Sequence, residues 1–555
     1  MSRQLGLPKP SRLALAALAL GLFAPTAHAQ SFRVQCPPVT KLHPGACSNA
    51  RTKSCAANAD CSSGGVCVPP GGKLDPNHPG QIKCQHVAGG DGFATMGDGH
   101  QIYLFGFSPL SGLQAIQSGQ PGTLIASEFN TPYVGPNYST MGAVGVCLGG
   151  TNPAGTVCNT LADCPDRSSG GVKCLIAPGT NNLAAKPNNG AITEPAGIME
   201  MGVLAANFPA PLMAIDEDDE FFLTLSNPGM IMRPDLFEQH TVHFHGYPNA
   251  SSYFDGVPDA SVAINIGGSF TYYYTAPDAG TYFWHCHITP PEHLEMGMVG
   301  QLYVRPRQNR VALNQSLLSA LVLANKRAAA VDPTTVTGLT CSDILCTGQT
   351  PAPPPNLVVM PRVGTLYAYN DGDGSTQYDV EYPIQMMGFD PNFHYVGMTF
   401  NPESFVDLKD KYFMLSGRSY PDTVETSAIS TLGADGVQRP AQPLPSLIVI
   451  DSGKGQKRAL LRVSDLSTTE FTTLGTVGIP MTVIAQNARL LRDMGGNNLY
   501  YNTNSITLGG GESADVILDA TGIPKGTYYL YATNLDHLSN DAENFGGMMT
   551  EIVVR

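Results

Sequence analysis

Between Gly202 and Pro306, short apolar runs alternate with turn residues at the intervals of β-strands. Glu220-Phe-Phe-Leu-Thr-Leu-Ser226 stops at Asn227-Pro228-Gly229, and Ser269-Phe-Thr-Tyr-Tyr-Tyr-Thr275 runs from Gly267-Gly268 to Ala276-Pro277. Gly280 to Ile288 and Val299 to Val304 complete the set. Aromatic and β-branched residues fill these runs, which predicts a β-sandwich. A second strand-rich unit extends from Asn356 to Arg555, and its end echoes the first. Ile506-Thr-Leu-Gly-Gly-Gly511 parallels Ile264-Asn-Ile-Gly-Gly268, and Gly526-Thr-Tyr-Tyr-Leu-Tyr531 parallels Gly280-Thr-Tyr-Phe-Trp-His285. The pattern predicts an all-β protein that uses one sandwich twice. Between the units, Leu313 to Ala330 has helical composition and Ala352-Pro353-Pro354-Pro355 should be extended.

Cysteines add two small modules to this plan. Cys55 to Val68 contains Ala59-Asp60-Cys61 and Gly64-Gly65-Val66-Cys67, and a second copy has Ala162-Asp163-Cys164 and Gly170-Gly171-Val172-Lys173-Cys174. The step from Cys55 to Cys61 equals that from Cys158 to Cys164. Such pieces have little core, so disulfides must hold them, as inert decoration or as a partner-binding surface. The expected organisation is therefore 1–29 as a leader and 30–90 as a cysteine-rich module. The first sandwich is 91–310 with a cysteine-rich insertion at about 145–176, followed by a linker (311–355) and the second sandwich (356–555).

Charge and compartment narrow the partners. The chain holds 31 Lys+Arg against 45 Asp+Glu, a net charge of −14. Arg3, Lys9 and Arg12 precede the apolar run Leu13 to Ala24, and Ala27-His28-Ala29 fits a leader-peptidase site. That run is shorter than the roughly 20 residues a membrane span needs. The expectation is a periplasmic or secreted protein without membrane insertion. Cleavage removes those three bases and moves the charge from −14 to −17. Such a surface repels nucleic acid and favours cations or a basic redox partner. Twelve of the thirteen cysteines lie in polar, Gly/Pro-rich segments suited to disulfides; Cys286 stands alone in an aromatic strand.

That cysteine sits in the densest chemistry of the chain. Six of thirteen histidines fall in His240-Thr-Val-His243-Phe-His245-Gly246 and in His285-Cys286-His287 followed by His293. Alternate strand residues share a face, so His243 and His245 point together, as do His285 and His287, while Cys286 points the other way. One pair of strands can thus present a cysteine site on one side and an imidazole cluster on the other. Six residues separate Cys286 from His293, and four separate His293 from Met298. A Cys with two His and a weak Met is an electron-transfer copper set, whereas zinc would want a further strong ligand. Met296 is a second axial candidate. A single HxH motif carries little information; this ordered series carries much more.

His240 to Gly246, Phe254-Asp255-Gly256-Val257-Pro258 and Gly280 to His287 together resemble the copper-binding cupredoxin domain of multicopper oxidases. Asp371 to Arg555, with Tyr412 to Pro421 and Leu460-Leu-Arg-Val463, looks like their copper-free second domain. The resemblance implies two cupredoxin-like Greek-key β-sandwich domains and a type 1 copper held by His240, Cys286, His293 and Met298. It matches His243 to a type 2 ligand, His245 and His287 to type 3 ligands, and His285 to the remaining histidine of that cluster. It also implies that electrons arrive through His293, whose ring edge lies near the surface in related folds, and pass by Cys286 to His285 and His287.

Departures from the family pattern leave three readings. Full oxidases use eight histidines from two domains for the oxygen-reducing centre, and this chain offers four. Tyr531, Ala532 and Thr533 stand where a second His-Cys-His would be, and His394 and His537 are isolated. Subunits could pair to complete an oxygen-reducing centre, with a small reductant, a metal ion or a redox protein as electron donor. The chain could instead work as copper nitrite reductases do, with a neighbour's His394 or His537 at a type 2 copper. Or it could be a blue-copper carrier without turnover. Among the remaining motifs, Asp216 to Glu220 reads as a solvated strand start, with a cation site as the alternative. Met548 and Met549 read as strand packing or a Cu⁺ site, and Trp284 as packing.

Overall fold

The computed structural model describes residues 32–555 except 56, 69–79, 132, 134–144, 149–156, 159–172, 176–189, 248–250, 277, 311–365, 400, 402–403 and 494–496. The expected leader and linker lie outside these residues. The first domain builds from eight principal strands: β1 (Ile82–Thr95), β2 (Gln101–Pro109), β3 (Met213–Asp216), β4 (Glu220–Ser226), β5 (His243–Phe244), β6 (Ser269–Thr275), β7 (Gly280–His285) and β8 (Val299–Arg305). They form two sheets in the orders β6-β4-β1-β2 and β3-β8-β7-β5. Period-2 burial explains the closure. Phe221, Leu223 and Leu225 of β4 meet Tyr282, Trp284 and Cys286 in one apolar core, all at most 3 % exposed.

The second domain repeats this plan. Its strands are β9 (Val380–Phe389), β10 (Tyr412–Leu415), β11 (Ile448–Ile450), β12 (Arg458–Asp465), β13 (Thr472–Val477), β14 (Met481–Gln486), β15 (Ser505–Leu508), β16 (Ser513–Asp519), β17 (Gly526–Ala532) and β18 (Met549–Val554). Its sheets run β10-β9-β12-β16-β14 and β11-β18-β17-β13-β15. Each domain has one parallel pair per sheet: β4 with β1 and β3 with β8, then β12 with β9 and β11 with β18. The repeat read from the two glycine-flanked segments is thus a repeat of topology. The chain is all-β, with two sandwiches and small disulfide-bonded additions.

The small modules repeat as well. Strands Gly45–Cys47, Ala50–Cys55 and Cys67–Val68 form a three-stranded sheet with the first at its centre, tied by Cys47–Cys61 and Cys55–Cys67. Strands Gly145–Leu148, Val157–Cys158 and Lys173–Leu175 form a sheet in the same order. The registers correspond: Gly45 faces Cys55 and Cys47 faces Cys67, as Gly145 faces Cys158 and Cys147 faces Cys174.

Two expectations need correction. The boundary at residue 90 cuts through β1, whose parallel pairing with β4 begins at Ile82; a third disulfide, Cys36–Cys84, staples the N-terminal segment onto that strand. The acidic run is neither solvated nor a cation site. Glu217, Asp219 and Glu220 are at most 3 % exposed, and Arg307 and Asn370 engage Glu217 while Arg307 and Arg310 engage Asp218. Arginines from beyond β8 have followed the carboxylates into the interior, since buried charges persist only when paired. Met548 is fully buried in the second core, which accounts for it as packing.

The domains meet face to face, with β7 and β8 of the first against β12 and β16 of the second. Thr281 Oγ1 donates to Asp515 (2.6 Å), Ser513 Oγ to the Thr281 carbonyl (2.7 Å) and Gln301 Nε2 to the Arg462 carbonyl (2.9 Å). Strand β7 is therefore held on both sides, which fixes the residues at its end. Among the described residues, no helix is long and apolar enough to cross a membrane.

Candidate metal centre

Antiparallel pairing of β5 with β7 sets His243 opposite His285 and Phe244 opposite Trp284. Strand β7 ends there, and Cys286 continues it by donating its N–H to the Met298 carbonyl (3.1 Å). Thr289, with φ +38°, then turns the chain into a short helix, Pro290–Glu295, that brings His293 back over Cys286. A residue with a side chain rarely holds that backbone conformation, and such strain is found where a loop is fixed by its surroundings.

On the core side, His293 Nδ1 lies 3.2 Å and His240 Nδ1 3.9 Å from Cys286 Sγ. All three residues are fully buried, as are Met296 and Met298 in the same apolar cluster. Burial pushes His240 down to about 3, holds His293 well below its ordinary range and pushes the Cys286 thiol up to about 11. Both imidazoles are thus neutral and offer Nδ1 lone pairs, and the thiol ionises at neutral pH only if a cation replaces its proton. The Thr241 N–H, 3.4 Å from Sγ, would stabilise the resulting thiolate. Three soft and borderline donors converging in a dry pocket fit copper.

On the opposite face stand His243, His245, His285 and His287. Donor atoms of the first three lie within 4.8 Å of one another. The His287 ring is 5.1 Å from that of His243 and 5.4 Å from that of His285. His243 Nδ1 meets the Asp255 carbonyl at 2.7 Å and His285 Nδ1 the Cys286 carbonyl at 2.7 Å. Only a ring N–H satisfies a carbonyl, so Nε2 of each carries the lone pair. A histidine whose second nitrogen is tied to backbone in this way is oriented as metal ligands are. His245 Nε2 and His285 Nε2 lie 3.0 Å apart, and burial pushes these residues down to about 4 and about 3. Burial keeps these rings neutral, and neutral imidazole nitrogens converging within 4.8 Å of one another fit a metal.

The second domain brings no imidazole to this face. Ala532, fully buried, occupies the core position equivalent to Cys286. His394 is buried with Nδ1 on the Tyr103 carbonyl (2.5 Å), and His537 is buried with Nε2 on Glu470 (2.9 Å) and its ring on Phe413. Neither is presented to a neighbouring subunit, which removes the histidines considered for a nitrite-reductase-like site. A second correction concerns His293, whose ring edge does not reach the surface. Its Nε2 is enclosed, with the Glu238 carboxylate 3.9 Å away and that side chain 25 % exposed. The Phe105 ring of β2 packs edge-on against the His293 ring at 5.8 Å.

Sequence reasoning missed the Asp255 carbonyl, Glu238 and the second-domain turn at Gly511. Asp255 and Gly511 lay inside recognised segments, but nothing marked Glu238.

Residues 189–309 match the family model described as Multicopper oxidase. This stretch is thus similar to the domain of a copper-binding family. The chain is 33 % identical over 113 residues to Laccase abr2 of Aspergillus fumigatus, covering 20 % of this chain and 18 % of that one. It is 34 % identical over 112 residues to Multicopper oxidase MCE of Talaromyces pinophilus, covering 20 % and 17 %. The match thus spans less than a fifth of either relative. Similar solved structures include Blue Copper Oxidase from Nitrosomonas europaea, at TM-score 0.39 and 20 % identity over 63 % of this chain and 77 % of that one. Copper nitrite reductase from the same organism gives 0.35 and 14 % over 63 % and 84 %.

Proposed function

We propose that this protein is an exported copper oxidoreductase that oxidises a small reductant, a metal ion or a redox protein and reduces dioxygen. The observation that carries this reading is the pair of donor sets on opposite faces of β7. His240, Cys286, His293 and Met298 would hold a type 1 copper. His243, His245, His285 and His287 would hold further copper. Bound there, copper supplies one-electron acceptance on the core side and oxygen reduction on the other. The chain supplies the rest. Cys286 shares peptide bonds with His285 and His287, so one residue joins the two donor sets covalently. The enclosed pocket keeps water from the thiolate, and the backbone carbonyls fix the imidazole tautomers.

The outward cluster is partly open, with the His243 side chain 18 % exposed. That opening would admit oxygen, or a second copy of the chain that completes the cluster as a homo-oligomer. The three disulfides of the N-terminal region support an oxidising compartment, periplasmic or extracellular.

A blue-copper carrier is the second reading, favoured by the lack of second-domain donors among the described residues. Copper per chain, electron paramagnetic resonance, sizing and oxygen uptake on one copper-loaded sample separate the two. More than one copper per chain with a type 2 signal and oxygen uptake supports the oxidase. A single blue copper without uptake refutes it.

A further inference from the structure

The turn between β15 and β16 in the second domain is longer than its counterpart in the first. Ser269 and Ser513 start equivalent strands, paired with Ser226 and Ser464 respectively. Four residues separate Ile264 from Ser269, whereas six separate Ile506 from Ser513. The extra length contains Gly511 and Glu512. The turn is clasped at both ends: Gly511 N–H donates to the Asp465 carbonyl (2.9 Å), Asp465 N–H to the Glu512 carbonyl (3.0 Å) and Gly509 N–H to Glu512 Oε2 (2.8 Å). It is a rigid projection, and it ends against the outward histidines.

Gly511 has φ +87°, and a Cβ there would lie 2.5 Å from His245 Nδ1 and 2.6 Å from its Cε1. Contact that close requires the missing side chain, and the backbone conformation requires glycine as well. The Gly511 backbone thus lies against the Nδ1 edge of His245, whose Nε2 is turned toward His285 Nε2, 3.0 Å away.

We propose that Gly511 is a positioning residue for the outward copper site: its backbone, packed without a side chain against the Nδ1 edge of His245, fixes the orientation of that ring, so that the second domain contributes a clamp where it contributes no ligand. The role rests on the reading of the four histidines as copper ligands. An outer contact that orients a ligand acts on metal affinity, and losing such a contact weakens binding about 10- to 100-fold.

The test is Gly511→Ala in the full chain, alone and with His245→Ala, with Gly522→Ala as control. Gly522 has φ +78° with nothing near its would-be Cβ, so its substitution imposes similar backbone strain without steric contact. Copper per chain is titrated with Cu²⁺ alone, blue absorption reports the core-side site, and Tm is read on metal-free protein. The expected result for Gly511→Ala is a loss of non-blue copper affinity of about 10-fold or more, with blue absorption kept and Gly522→Ala loading normally. Metal-free Tm should fall, and fall less when His245→Ala removes the clashing ring; that double variant also serves if the single one does not fold. Normal loading by Gly511→Ala, or an equal Tm loss in both backgrounds, overturns the proposal. Wild-type protein that takes up blue copper only would refute the copper reading and the clamp's role together. The Tm coupling would then report the contact alone.

Discussion

Cys286 is the one unpaired cysteine among the described residues, and burial has pushed its thiol up to about 11. Cys286→Ser should therefore abolish intense visible absorption while leaving circular dichroism and sizing unchanged. Blue colour in that variant would sink the assignment. His245→Ala should keep the colour and stop oxygen uptake, so unchanged uptake would move oxygen reduction elsewhere. A third case lies outside the site. His86 is fully buried between the Ile192 carbonyl and Ser226 Oγ, and burial pushes it down to about 3. Its folded pKa lies below its unfolded one, so the unfolded chain takes the proton first as pH falls below about 6.5. Stability due to neutral His86 is thus lost with falling pH, by about 1.4 kcal/mol per unit for one proton, down to its folded pKa. The stability advantage of wild type over His86→Gln in urea should shrink between pH 6.5 and 4. An advantage independent of pH would contradict this. Residue chemistry was the most legible level in the sequence, because the ligand candidates crowd into one stretch from His240 to Met298. What it hid were partners that are backbone atoms: the Asp255 carbonyl carries no residue-type signal.

Strand β7 joins both donor sets, and its neighbour explains how it packs. Trp284 faces Gly300 across the β7–β8 ladder, and a Cβ on Gly300 would lie 2.7 Å from the indole. The indole fills that space and packs on Phe107 at 4.8 Å. Gly300→Ala should cost about 1–3 kcal/mol through overpacking and shift the fluorescence of the chain's single tryptophan. Fluorescence and stability like wild type would show that the strand can yield. Strand elements were readable because alternation, β-branched content and glycine-rich turns agreed, and β4, β6, β7 and β8 fall where the pattern put them. The start of β1 was not readable: Ile82 to Gly90 lies beside a cysteine-rich stretch, and its place in the sheet depends on parallel pairing with β4, more than a hundred residues away. His293 was misjudged for a similar reason, since it is enclosed by Phe105 of β2 and by Glu238, which no local pattern connects to it.

At the scale of the molecule, function depends on how the second domain is docked, and that docking is polar. Arg462 is fully buried, with Nε 3.0 Å from Glu381 Oε2, Nη1 3.7 Å from Asp515 Oδ1 and its guanidinium 4.7 Å from the Tyr303 ring centre. Asp515 in turn accepts from Thr281 at the root of β7. Removing Arg462 would leave Asp515 and Glu381 buried with less compensation, and breaking such a buried pair costs about 3–5 kcal/mol. Arg462→Ala should show a loss of that order in urea titrations, and Asp515→Asn in the same chain should restore part of it. The order of copper release adds a second reading. The core-side donors all come from the first domain, whereas the outward cluster is closed by a turn of the second. Loosening the interface should therefore release non-blue copper at lower urea than it takes to bleach the blue absorption, with the gap wider in Arg462→Ala than in wild type. Simultaneous loss of both signals in every variant would mean that the two domains unfold as one unit and that docking does not selectively protect the outward site.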